Sequence, residues 1–187
     1  MKIRFLAPVL PGLLGVSLVA LSLQLGSIST FAQAAPASFP VGGLQFERPA
    51  EWAWVPVQSP MRKAQLLVPG MDPKSGADIT FFHFGAGGGG SVEENIQRWL
   101  RQFKSQPGAE KVEKKQLGGR PVTLVSTEGT FSSGMPGGPS APLEGQALLG
   151  AILEDEGGNV FVKMTGPKAT VQSAREKFIA FITSAKR

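Results

Sequence analysis

The chain contains no cysteine, no tyrosine and a single histidine, His83, among its 187 residues. Without cysteine it can hold no disulfide, no thiolate metal site and no cysteine nucleophile, and it lacks the residue on which a bacterial lipoprotein anchor is built. A lone imidazole excludes any site that needs two. Charge is sparse as well, at 18% of residues with a net value of +5, and no clustered basic face of the kind nucleic acid requires is evident. No serine stands in a G-x-S-x-G elbow, and neither an H-E-x-x-H pair nor an acidic Ca²⁺ loop occurs. What is abundant is glycine (24), proline (15) and apolar residues (42%), a globular composition at a length that suits one domain.

The first residues have their own logic. Lys2 and Arg4 precede an uncharged, Leu/Val-rich run from Phe5 to Leu25, and Ala32-Gln33-Ala34 then supplies the small-x-small pattern read by signal peptidase. The expectation is a signal peptide over 1–34, cleaved after Ala34, and a periplasmic or secreted product. Loss of Lys2 and Arg4 lowers the net charge from +5 to +3. The competing reading is an uncleaved anchor, since about 20 apolar residues span a bilayer, but Pro8 and Pro11 weaken the run as a helix. Contact with a membrane is expected only if the segment is kept.

Residues 35–40 read as a Pro/Ala-rich spacer and 41–187 as a single α+β domain. Leu44-Gln45-Phe46, Trp52 to Val55, Ala64 to Val68 and Asp78 to Phe84 are β-rich runs separated by turn chemistry. Lys111 to Leu117 and Arg120 to Ser126 continue the pattern, and Gln146 to Glu154 with Asn159 to Thr165 form a hairpin candidate around Asp155 to Gly158. Two helices are expected. The first spans 91–106, with Val92, Ile96, Trp99, Leu100 and Phe103 on one face, a capping box at Ser91 and Glu94, and a stop at Pro107-Gly108. The second spans 168–184, with Val171, Ala174, Phe178 and Ile182 buried. Two such helices need sheet faces, which about eight short strands supply, so the fold expected is a single α+β domain.

Candidate sites are few. Gly85 to Gly90 matches G-x-G-x-x-G between a strand and a helix, where glycines can admit a pyrophosphate. Glu93 and Glu94 in the first helical turn would repel phosphate, so the run reads as a flexible connector and no cofactor is expected. His83 shares a strand face with Ile79 and Phe81, and neither supplies a nucleophile or an orienting acid. A small enzyme or metal site would need His83 to recruit carboxylates from elsewhere, and a packed histidine is the simpler reading. Trp52 and Trp54 point to one side of a strand and suit core or rim packing better than a stacking platform. The stretch from Glu128 to Gly145 reads as a long Gly/Pro/Ser loop, either disordered or functional. It carries Phe131, Met135 and Leu143, apolar groups that a solvated loop does not need.

The order of these pieces resembles the PsbP-like superfamily. The resemblance rests on Leu44-Gln45-Phe46-Glu47-Arg48-Pro49-Ala50-Glu51-Trp52, similar to an opening strand of the form F-x-x-P-x-x-W. It rests also on Asn159 to Pro167 followed by a closing helix near Phe178 to Ser184. It implies an antiparallel β-sheet with helices packed on it, an α/β/α sandwich, and carries over no catalytic residues. The functional expectation is a non-catalytic binding or assembly module that engages an unknown protein partner in the cell envelope, with Phe131, Met135 and Leu143 as its contact residues.

Overall fold

The computed structural model describes residues 35–132 and 141–187, and the leader reading at 1–34 and Met135 fall outside them. The domain opens with a hairpin, β1 (Ser38–Val41) and β2 (Leu44–Glu47), which turns at Gly42 with a left-handed φ of 60°. An eight-stranded antiparallel sheet follows. Across it run β3 (Ala53–Trp54), β4 (Arg62–Val68), β5 (Ala77–His83), β10 (Val160–Pro167), β9 (Leu143–Leu153) and β8 (Arg120–Phe131). Beyond β8, the far edge is shared end to end by β6 (Phe103–Ser105) and β7 (Lys111–Leu117), each paired with its own half of β8.

Period-2 alternation sends the side chains of each strand to two different cores. One face packs under α1 (Val92–Leu100), where Ile96, Trp99 and Leu100 meet Val125, Leu148, Ile152 and Phe161. The other face lies under α2 (Lys168–Ser173), α3 (Arg175–Thr183) and the β1–β2 hairpin. Its centre is aromatic: Phe39, Phe46, Phe81, Phe181 and Trp52 pack ring on ring, with Trp54 at the edge. The result is the α/β/α sandwich that the PsbP-like resemblance implied.

Several boundaries differ from the sequence reading, each for a local reason. Residues 35–40, read as a spacer, enter β1 at Ser38 because Phe39 buries against Phe46, with ring centroids 5.8 Å apart, while Pro40 stays exposed. The first helix stops at Leu100 rather than 106. The Ser132 backbone N–H donates to the Gln102 carbonyl at 2.8 Å and Phe103 pairs with Phe131, so the end of β8 recruits these residues as a strand. Phe103 still buries in the α1 core, which is why it fitted the helical stripe. The closing helix is broken at Ala174, yet Val171, Ala174, Phe178 and Ile182 are all buried as expected. The long loop is shorter than 128–145, because the β8–β9 ladder slips register after Gly129 and resumes at Phe131 and Leu143.

Candidate functional site

The glycine run connects β5 to α1, and the helix N-terminus already has an acceptor. The Glu94 carboxylate takes the Ser91 backbone N–H at 2.8 Å and its hydroxyl at 3.0 Å, and Ser91 Oγ accepts the Glu94 N–H at 3.1 Å. These bonds, the backbone one first, hold the Glu94 carboxyl below its usual range. An anion brought to this turn would meet that charge rather than bare N–H groups.

His83 is half-buried at the end of β5, beneath the β1–β2 turn. Its Nδ1 lies 3.3 Å from the Asn159 carbonyl oxygen, and a Cβ at Gly42 would stand 2.8 Å from the same nitrogen. All 14 Asp and Glu are described residues. Among the described residues, no three His, Asp or Glu gather closely enough to hold a metal.

Two shallow clefts are polar and hold ion pairs of their own, although Nε and Nη1 of Arg120 are buried without a hydrogen-bond partner among the described residues. The one beside the C-terminus is lined by Arg120, Asp155 and Arg187, and Arg187 donates from both Nε and Nη2 to Asp155 Oδ1 at 3.1 and 2.9 Å. The one between β7 and α2 is bridged by Arg175 to Glu113 at 3.5 Å, while Lys168 and Gln172 at its rim donate to Glu128.

Lys163 is different. On β10 it alternates with Phe161 toward the α1 side, in a row across the sheet that runs Gln65, Thr80, Lys163, Gly150, Val125. Trp99 of α1 sits on Gly150, the next position in that row, so Lys163 lies at the margin of the helix. Its ammonium donates to Gln102 Oε1 and stands 5.5 Å from the centroid of the Phe131 ring. Among the described residues, which include every acidic side chain, it has no ion pair. Burial, and after it the charge of Arg62, bring it from an ordinary 10.5 down to about 8.

The sequence-predicted residues Phe131 and Leu143 are brought together here. They face each other across the last rung of the β8–β9 ladder, with Phe131 half-buried against Phe103 and Leu143 42% exposed. Met135 lies outside the described residues, and His83 is not part of this cluster. Lys163 does not stand out in the sequence, because the groups that cover it, Gln102 and Phe131, come from distant parts of the chain.

The depressed ammonium has a consequence for stability. In the folded state Lys163 gives up its proton near pH 8, in the unfolded state near 10.5, so its cost is fully present below pH 8 and fades between those values. Lys163→Met is expected to stabilise the protein at pH 7 by about 1–2 kcal/mol, once the lost ring contact is offset against the relieved charge. That gain is expected to shrink by pH 10. Paired melting curves at the two pH values check it, and a variant less stable than the wild type at pH 7 contradicts it.

No family model matches the sequence, and no curated protein matches it. Solved structures do. Cyanobacterial PsbP (CyanoP) from Synechocystis sp. PCC 6803 is 11% identical and superposes with a TM-score of 0.50, covering 86% of this chain and 99% of that one. A protein of unknown function from Pseudomonas aeruginosa is 13% identical, covering 79% of this chain and 93% of that one with a TM-score of 0.44. Among the described residues no helix is long and apolar enough to cross a membrane. The antiparallel sheet between two helical layers and its match over nearly the whole of cyanobacterial PsbP show that the chain has a PsbP-like fold.

Proposed function

We propose that the chain is an exported, non-catalytic binding or assembly module that engages a protein partner in the cell envelope through the Phe131–Leu143 end of the sheet. The observation that carries this reading is Leu143, a large apolar side chain exposed on strand β9 beside the half-buried Phe131 ring. Apolar side chains carried on a strand lose little entropy when a partner covers them. Export rests on the basic start, the apolar run and Ala32-Gln33-Ala34.

The test isolates the tagged protein from the envelope fraction of its native host. The expected N-terminus is Ala35, and Leu143→Lys is expected to reduce recovery of the bound partner by about tenfold, the loss of one central apolar contact. Met71→Lys is the control, since Met71 is 99% exposed on the β4–β5 turn. Equal recovery from the wild type and Leu143→Lys overturns the reading.

A further inference from the structure

We propose that Lys163 is a carboxylate-binding site, and that the partner brings an acidic side chain to it from a segment whose apolar residue covers Leu143. The inference rests on the docking reading above and names the chemistry of its partner.

Charge complementarity carries it. Most cations at the domain's clefts have acceptors of their own: Arg187 has Asp155, Arg175 has Glu113 and Lys168 has Glu128. Lys163 has a neutral amide oxygen and a ring face instead. The groups around it from each neighbouring element hold no carboxylate aimed at it. From β9 the opposite residue is Gly150, and from β5 it is Thr80, whose hydroxyl bonds the Lys163 carbonyl oxygen at 3.4 Å. On β4, Arg62 donates to Gln65 Oε1 at 2.7 Å, and Gln65 in turn donates to Asp78 Oδ1 at 3.0 Å. Asp78, on the same face of β5 as Thr80, is thus engaged by Gln65, and the charge of Arg62 adds to the cost of the Lys163 ammonium.

A half-buried ammonium without a counter-ion costs free energy that an incoming anion removes. A carboxylate at Lys163 would cancel the repulsion from Arg62 and restore the ordinary proton affinity of the amine. Inorganic anions would meet the charge but gain nothing from Phe131 and Leu143. A peptide with Glu beside Phe or Leu meets both features, and that is the occupant to which the geometry points.

The experiment uses the full chain carrying ¹³C-labelled lysine, titrated by NMR with N-acetyl-Glu-Leu-Phe-Glu-amide and its Gln-for-Glu counterpart. With the Glu peptide, the Lys163 titration midpoint is expected to rise from near 8 by at least one unit. The Gln peptide is expected to bind about tenfold or more weakly, as is the Glu peptide to Lys163→Met, with Lys163→Arg restoring affinity. If both peptides bind alike and Lys163→Met makes no difference, the carboxylate assignment is overturned, while the docking role of Leu143 keeps its own test. An unmoved midpoint at saturating Glu peptide, or no binding of either peptide, overturns the assignment as well.

Discussion

Gly150→Ala is expected to destabilise the protein by about 1–3 kcal/mol, and Gly150→Val by about 3 kcal/mol or more, although glycine is a poor strand residue. Gly150 lies in β9 with strands on both sides, paired to Lys163 and to Val125, so its backbone has no room to retreat. A Cβ there would stand 2.3 and 2.7 Å from two carbons of the Trp99 ring, inside any permitted contact. Trp99 is 6% exposed and anchors α1 with Ile96 and Leu100, so moving the indole disturbs the helix layer rather than one rotamer. Urea melts of Gly150→Ala, Trp99→Ala and the double variant measure the coupling, which is expected to exceed 1 kcal/mol in the sense that the double loses less than the sum. Full additivity, or a Gly150→Ala within 0.5 kcal/mol of the wild type, contradicts the packing.

Phe81→Ala is expected to be costlier still, about 3–5 kcal/mol, against a total stability of the order of 5–15 kcal/mol for a domain of this kind. The ring is fully buried on β5 and stands 5.2 Å from Phe39, 5.3 Å from Phe46 and 6.0 Å from Phe181. It therefore joins three elements at once: the sheet, the β1–β2 hairpin and α3. Removing it leaves a cavity between rigid rings that cannot collapse into it, and the edge-to-face pairs are lost besides. Phe81→Leu is expected to cost roughly half as much, since volume is largely kept. Denaturant midpoints check both, and a loss below about 1 kcal/mol for Phe81→Ala contradicts the arrangement.

How far the sequence reached depended on whether the signal was local. The capping box at Ser91 and Glu94 is a four-residue pattern and forms as read. The β9–β10 hairpin and the stripe Val171, Ala174, Phe178, Ile182 are equally local. Phe103 was misplaced because helical spacing and a strand folded back beneath the helix bury the same side chain; only the pairing with Phe131 tells them apart. Phe39 was missed because Ala and Pro surround it, and its partner rings lie elsewhere in the chain. Phe131 and Leu143 stood out as apolar residues in a Gly/Pro/Ser stretch, but their pairing across β8 and β9 did not, because the slip at Gly129 hid the strand that carries them. Lys163 had no local signal at all. A charged residue alternating in a strand reads as solvated, and its lack of a counter-ion emerges only once every acid has been placed.

The proposed docking of a protein partner at the Leu143 end of the sheet has a direct test. Site-specific photo-crosslinking in the native host tests it most directly, with a benzoylphenylalanine at position 143 and, as control, at position 71 on the β4–β5 turn. One discrete protein adduct is expected from position 143 and none from position 71. No adduct from position 143, or the same adducts from both, contradicts it.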